Sequence, residues 1–431
     1  MKIGIIGGSG LEKEDILQNI QEIEVETPYG KPSSNIKVGV YNGAEIYILL
    51  RHGEKHEISP TKVNNRANIY ALKKLGCQYI LATTAVGSLR TKIEPGDFVI
   101  ANQFIDFTKH RSITFFEDFK DGIKHTSMAD PFSETLRNVL IESCEELNLR
   151  HHKIGTIITI EGPRFSTRAE SFMFRNFSHV INMSTAPEAI LAKEAELEYA
   201  VIAMSTDYDC WKKAEEPVTW EIIELRMKQN AENVKKLLIR VIEKLSNQEI
   251  FNADKELIKS KIRSIPNFPK QGIMFRDITT LLKDNEGMKK VIEILYNRYK
   301  NRNIDVVAGV ESRGFIIGGI LASKLNASFV PIRKKGKLPA ETISETYELE
   351  YGTDTIEIHK DAIKPGQNVL LVDDLIALGG TSLASCNLIK KLDGKLEEAA
   401  FIIELEDLGG RKKLEDNGYK MFSLISFREG E

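Results

Sequence analysis

The sequence predicts two successive α/β domains, and three observations lead there. At 431 residues the chain is long for one domain of ordinary size. Short apolar runs of strand type alternate with segments of helical spacing, the pattern of a largely parallel sheet covered by helices. The stretch V-L-L-V-D-D-L-I-A-L-G-G-T-S-L-A-S, residues 369–385, then reads as strand, glycine turn and helix, a unit whose backbone N–H groups suit a phosphate.

Bulk properties narrow the function. Lys+Arg 59 against Asp+Glu 62 gives a net charge of −3, which offers no general attraction for nucleic acid or an anionic membrane. Any anion site is therefore local. Cys77, Cys144, Cys210 and Cys386 are scattered without a C-x-x-C pair, so neither a disulfide framework nor a zinc site is indicated. The opening M-K-I-G-I-I-G-G is too short and glycine-broken for a signal peptide, and no run of about 18 apolar residues occurs, so a cytoplasmic location is expected.

Residues 2–6 read as a strand that empties into Gly7-Gly8-Ser9-Gly10. The glycines do not make G-x-G-x-x-G, because Lys13 holds the last position; a phosphate nest and a plain turn both remain open. Residues 36–50 have hairpin character about Tyr41-Asn42-Gly43. They end at Arg51-His52-Gly53-Glu54-Lys55-His56, where a guanidinium and an imidazole at a strand end suit an oxyanion. Two histidines alone are too few for zinc. In residues 64–75, Ala67, Tyr70, Ala71 and Leu75 form one helical face, and Gly76 stops the helix. Strands follow at residues 79–83, leading into Thr84-Ala85-Val86-Gly87-Ser88, and at 99–101. Others lie at 154–160, leading into E-G-P-R-F-S, and at 201–204, leading into Ser205-Thr206-Asp207-Tyr208-Asp209. A long helix over 218–245 carries Met227, Ala231, Val234, Leu238, Val241 and Leu245 on one apolar face. The polar stretch 246–252 then reads as a linker between domains 1–245 and 253–431.

Several strand ends carry chemistry. Ser9, Arg51, His52, Thr84, Ala85 and Ser184 are donors able to converge on one phosphate. Asp207 and Asp209 point the same way if the backbone stays extended. Such a pair suits a purine bearing an amino group, since a carboxylate accepts from N–H and, when protonated, gives a proton to a ring nitrogen. A solvated acidic turn is the plainer alternative. In the second half, Asp373 and Asp374 beside a phosphate cradle suit sugar hydroxyls or Mg²⁺, which together suggest a phosphoribosyl group.

Longer blocks carry a resemblance. G-G-S-G-L, R-H-G-E-K-H, V-N-N-R-A-N-I-Y-A-L-K, A-V-G-S-L-R, P-G-D-F-V-I, E-G-P-R-F-S-T-R-A-E-S and T-D-Y-D-C-W make the first half similar to 5′-methylthioadenosine phosphorylases, within the trimeric purine nucleoside phosphorylases. The resemblance implies that Ser9, Arg51, His52, Thr84, Ala85 and Ser184 hold phosphate. It places Phe165 and Ser166 about the base and Met183 at the ribose, with Thr206 in the same purine and ribose site. Asp207 and Asp209 become the catalytic pair on the N7 and 6-amino edge. The family often has threonine where Ser9 and Ser184 stand, and the hydroxyl is kept. No cofactor is implied for this half.

The second half resembles adenine phosphoribosyltransferase, a type I phosphoribosyltransferase with a Rossmann-like domain. The match rests on F-P-K-Q-G-I-M-F-R-D-I-T from Phe268, G-V-E-S-R-G-F from Gly309, R-K-K-G-K-L-P from Arg333, L-E-Y-G from Leu349 and the acidic loop. It implies an adenine slot at Met274, Phe275 and Arg276, and diphosphate contacts from Arg313, Arg333, Lys334 and Lys337. Glu350 and Tyr351 fall on a mobile lid, Glu350 as a catalytic residue. Asp373 and Asp374 would take the ribose hydroxyls, and Ala377, Leu378, Gly379, Gly380 and Thr381 would cradle the 5′-phosphate. Mg²⁺ is implied together with phosphoribosyl diphosphate, with no side chain assigned as its direct ligand. The family usually reads A-T-G-G-T, so Leu378 stands where a hydroxyl is expected.

The expected activity is bifunctional purine salvage: phosphorolysis of methylthioadenosine to adenine, then adenine and phosphoribosyl diphosphate to AMP. The alternative is a 6-oxopurine phosphorylase fused to a module that senses phosphoribosyl diphosphate. Partners are expected to be small molecules, without nucleic acid or membrane, and the chain is expected to form a homo-oligomer, because the first family is commonly trimeric and the second dimeric.

Overall fold

The computed structural model describes residues 1–7, 17–120, 122–213, 219–268, 270–348, 352–429 and 431. The chain divides into two compact units, Met1–Glu249 and Ile250–Glu431.

The first unit is built on an 11-stranded mixed sheet. Its hub is the strand Tyr79–Ser88, which lies parallel to Glu198–Asp207 on one side. On the other side its residues Tyr79 to Ala82 pair with Ile3 to Ile6, and its Gly87 and Ser88 pair antiparallel with Ile181 and Val180. Residues 83–86 therefore have no strand neighbour on that edge among the described residues. The open edge is where the cavity forms. Alternation along the strands sends Ile80, Ala82, Val201 and Ala203 into one core and Leu81, Ala200, Ile202 and Met204 into the other, so both faces are buried. The antiparallel members, including the hairpin Ile36–Tyr41 and Ala44–Leu49, make the sheet more mixed than the sequence alternation suggests.

Capping fixes the helices near the site. Asn64 accepts from the Ala67 N–H at the start of Asn65–Lys74, and Thr167 and Glu170 close a capping box at Arg168–Phe174.

The long helix departs from expectation. It runs without interruption over Trp220–Ser260, so the stretch read as a linker is helical and the helix does not end at Leu245. The polarity of residues 246–252 misled, because polarity does not stop a helix. The segment has no glycine or proline to stop it. The start expected at Val218 lies outside the described residues.

In the second unit a seven-stranded sheet carries the fold. Ser328–Lys334, Val306–Val310, Asn368–Ile376, Lys395–Leu405 and Met421–Phe427 lie side by side and parallel. Thr353–His359 and Thr342–Glu348 add an antiparallel edge. Chain order reverses between Val306–Val310 and its two neighbours, and ligands of such sheets bind at the carboxyl ends beside that switch point. The segments leaving those ends are Glu311 to Arg313 and Ala377 to Thr381. Within residues 369–385 the strand runs on to Ile376, and the helix starts at Gly380. Both aspartates thus sit on the rigid strand. A separate two-stranded ribbon pairs Arg263–Pro266 with Met274–Asp277.

Candidate active sites

A cavity of about 850 Å³ opens in the first unit and gathers Arg51, His52, Thr84, Ala85, Phe165, Ser166, Met183, Ser184, Thr206, Asp207 and Asp209. Of the residues the sequence assigned to this half, Ser9 alone lies outside the described residues.

At one end Arg51 is buried against Glu188, which is fully buried on the helix Thr185–Glu194. Its Nε donates to Oε1 and its Nη2 to Oε2 at 3.0 Å, while Nη1 donates to the Thr83 carbonyl at 2.8 Å. Tyr199 adds a hydroxyl bond to Glu188 at 3.0 Å. These use three of the five guanidinium N–H groups and leave two for a ligand. His52 places Nδ1 2.8 Å from the Ile58 carbonyl, which can only accept, so Nδ1 carries the hydrogen and Nε2 a lone pair. Burial, helped by the Arg51 charge, pulls this imidazole down to about 4. The His56 ring packs against it, tilted by 30° at 4.6 Å, and Trp220 against His56, tilted by 42° at 5.1 Å.

Ser184 stands at the N-cap of Thr185–Glu194 with no cap bond of its own, its hydroxyl 3.0 Å from that of Thr84. Asn182 donates to Thr185 at 2.6 Å and to Thr84 at 3.3 Å. Two hydroxyls, an open strand edge and a helix N-terminus thus surround one small volume, an arrangement suited to an oxyanion.

At the other end Asp207 closes the strand Glu198–Asp207. Its Oδ1 accepts from the Asp209 N–H and its Oδ2 from the Thr206 hydroxyl, each at 2.7 Å. Burial outweighs both bonds and raises its carboxyl to about 6. Asp209 does not continue the strand: its φ of +49° is left-handed, so the extended i, i+2 geometry expected of the pair is not formed. The turn nevertheless keeps Asp209 on the cavity, with Oδ2 buried and without a hydrogen-bond partner and its acidity weakened by burial. Such an oxygen awaits a donor. Met183 packs over Gly162, where a Cβ would lie 2.5 Å from its Sδ.

Sequence reasoning missed the partners. Glu188 had a signal, being an acid within the otherwise apolar A-P-E-A-I-L-A of a helix. Arg111 had none: it is buried by folding and donates to the carbonyls of Met183 at 2.6 Å and Glu161 at 2.5 Å, tying together two strand ends that border the cavity.

In the second unit the basic residues are held by acids. Arg313 pairs with Asp374, Lys334 with Asp354 at 3.1 Å, and both Arg333 at 3.3 Å and Lys337 at 2.6 Å with Glu311. Burial works upward on Glu311, yet Lys337, Arg333 and the Lys334 N–H hold it down to about 2. Burial and the neighbouring Asp374 push Asp373 up. Gly314 is needed beside them, since a Cβ there would lie 2.7 Å from the Val372 carbonyl. Ala377 to Thr381 pass into the helix Gly380–Lys391 through Gly379 at φ +74°, and Leu378 is 42% exposed at the tip.

Met274 and Phe275 lie on the separate ribbon, with Phe275 edge-on to Phe268 at 5.1 Å. The Arg276 side chain is engaged elsewhere, by Ser264 at 2.5 Å, by the Glu431 carbonyl and over the Phe427 ring. Glu350 and Tyr351 lie outside the described residues. Among the described residues no group of three or more His, Cys, Asp or Glu is placed to hold a metal unaided. A divalent ion fits beside Asp373 and Asp374 only with substrate oxygens completing its shell.

Comparison with known proteins follows the same division. The phosphorylase superfamily model matches residues 2–243, and the phosphoribosyl transferase domain model matches residues 277–430. S-methyl-5′-thioadenosine phosphorylase of Danio rerio is 48% identical over 269 residues, which is 61% of this chain and 96% of that protein. A methylthioadenosine phosphorylase from an antarctic soil metagenomic library is 41% identical with a TM-score of 0.55, over 57% of this chain and 87% of that one. The methylthioadenosine phosphorylase of Schistosoma mansoni, solved in complex with adenine, is 38% identical with a TM-score of 0.55, over 60% of this chain and 98% of its own.

Proposed function

The chain belongs to the phosphorylase superfamily through residues 2–243 and carries a phosphoribosyl transferase domain over residues 277–430, so both halves are pentosyltransferases; from that premise we propose that it performs two consecutive steps of purine salvage. The first half splits methylthioadenosine with phosphate into adenine and 5-methylthioribose 1-phosphate. The second joins that adenine to phosphoribosyl diphosphate, giving AMP and pyrophosphate.

The observation that carries the first step is the pair of poles in one cavity. Breaking an N-glycosidic bond builds positive charge on the ribose and negative charge on the departing purine. Phosphate seated by Arg51, Thr84, Ala85 and Ser184 stabilises the first and attacks the anomeric carbon. Asp207, held near 6, gives its proton to N7 and relieves the second. The partnerless Oδ2 of Asp209 suits the 6-amino group. An oxo group there would set acceptor against acceptor, which disfavours a 6-oxopurine substrate. The Danio rerio and Schistosoma mansoni proteins, with methylthioadenosine in their names, support the same choice.

For the second step, Phe275 offers a ring face to adenine, Asp373 and Asp374 the ribose hydroxyls, and the Gly379 turn a seat for the 5′-phosphate. Arg313, Arg333, Lys334 and Lys337 orient the diphosphate. Mg²⁺ bound with the substrate supplies charge neutralisation for the leaving pyrophosphate. A cytoplasmic homo-oligomer remains part of this reading. No helix among the described residues is long and apolar enough to cross a membrane.

Incubation with methylthioadenosine, with and without phosphate, tests the first step by adenine release, and addition of phosphoribosyl diphosphate and Mg²⁺ tests the second by AMP. Adenine release without AMP would leave the second half a sensor, for which the Leu378 departure is the one supporting feature.

A further inference from the structure

Among the described residues, the charged groups at the oxyanion end of the cavity balance before any ligand arrives. Arg51 is matched by Glu188, the two sharing a bidentate pair that Tyr199 reinforces. His52 is neutral, with its single hydrogen committed to the Ile58 carbonyl. Other charged groups facing His52 do not alter the balance: Lys37 and Lys55 line the same cavity with Glu54 and Glu57, and His56 packs against the ring as a second imidazole. Asp207 and Asp209 lie at the far, purine end. Phosphate near neutral pH is largely a dianion, and burying two uncompensated charges is costly. Among the described residues at this end, the Nε2 lone pair is an uncommitted proton-accepting atom, on a ring that borders the cavity.

We infer that seating the oxyanion is coupled to uptake of one proton at Nε2 of His52, so that the phosphate dianion rests against an imidazolium donor. The inference rests on the phosphorylase reading of this cavity and deepens it. The balance is simple: one dianion and one solvent proton enter, no bond to carbon forms, and the Nδ1–H goes on donating to the Ile58 carbonyl. His52 is then a donor to the nucleophile, a role its apo tautomer cannot fill. The His56 ring packs against one side of His52 at 4.6 Å, so the acquired charge is compensated by the anion on the cavity side.

Sulfate is the probe, because it stays fully dianionic and brings no proton. Titration calorimetry of the full-length protein at pH 7.5, in buffers of different ionisation enthalpy, counts the protons taken up per sulfate. Close to one is expected for the parent, with sulfate Kd weakening about tenfold per pH unit between pH 6.5 and 8.5. His52→Gln keeps an amide donor near the Nε2 position but cannot titrate. It should bind sulfate with no proton uptake and a flat pH profile. Uptake below half a proton in the parent, or uptake that survives H52Q, overturns the inference while leaving the phosphorylase reading intact. If neither sulfate nor phosphate binds and phosphate does not stimulate adenine release, the phosphorylase reading fails and the inference goes with it. The parent measurement stands alone should H52Q not fold.

Discussion

Asp207→Asn separates what the carboxyl does for the fold from what it does for the reaction. The amide Oδ1 still accepts from the Asp209 N–H. Its Nδ2 then faces the Thr206 hydroxyl, which can accept from it and donate to the Val86 carbonyl, now 3.3 Å away. The local structure should survive. The stability effect follows from burial. The folded carboxyl sits near 6 against 3.8 for a free one, so the folded state holds its proton more tightly than the unfolded state. The associated stability is complete below about pH 4 and is lost as pH rises through 6. At 1.36 kcal/mol per pH unit, the ionised parent forfeits roughly 3 kcal/mol at most at pH 8, which the amide does not lose. Denaturant melts of parent and variant should therefore coincide near pH 4, separate in the variant's favour between about pH 4 and 6, and stay apart above that.

Catalysis should move the opposite way. An amide has no proton to transfer, so phosphorolysis of methylthioadenosine, followed by adenine release, should fall about 10²–10⁴-fold. In the parent the acid form is needed, so kcat/KM should decline as pH rises through 6. A variant that cleaves methylthioadenosine as fast as the parent would sink the role given to Asp207. Equal melts at pH 8 would show that the carboxyl is not buried at the cost inferred.

Leu378→Thr restores a hydroxyl beside the expected 5′-phosphate, worth about 1.5–3 kcal/mol to a charged group, and should lower KM for phosphoribosyl diphosphate while leaving that for adenine nearly unchanged. An unchanged KM would mean the backbone donors suffice. Glu188→Gln leaves Arg51 buried without its counter-ion and should destabilise the first half by about 3–5 kcal/mol, read by denaturant titration. The two halves should act independently: Asp207→Ala mixed with Asp373→Ala/Asp374→Ala should still convert methylthioadenosine to AMP through free adenine, and loss of AMP in the mixture alone would point to direct transfer.

The strand ends were legible because glycine, hydroxyl and charge cluster there in short words, and the open edge of Tyr79–Ser88 turns those words into one cavity. What the sequence does not carry is pairing across distance. Arg51 and Glu188 are 137 positions apart, and nothing local in either announces the other. The same holds for Arg313 and Asp374, and for Glu311 beneath Arg333 and Lys337. Polarity in residues 246–252 misled for a physical reason: a chain break needs a helix stopper, and a polar helix face needs only solvent. Asp209 shows the limit of periodicity, since the left-handed turn at that residue decides where its carboxylate lies.

Metal dependence should differ between the halves, and the charges around each anion say why. In the first, one oxyanion meets Arg51, two hydroxyls and an open strand edge, all supplied by the chain. In the second, Arg313, Arg333, Lys334 and Lys337 face Asp374, Glu311 and Asp354, so four cations are offset by three carboxylates before any substrate enters. Little net positive charge is left for a diphosphate, whose several negative charges must be stabilised as it leaves. A hard divalent ion bound with the substrate would supply the missing positive charge. Chelation with EDTA should leave phosphate-dependent adenine release unchanged and abolish AMP formation, and Mg²⁺ titration should restore the latter in proportion to the Mg²⁺ complex of phosphoribosyl diphosphate. AMP formation that persists in EDTA would mean that the four basic side chains abandon their carboxylates on binding and neutralise the leaving group by themselves.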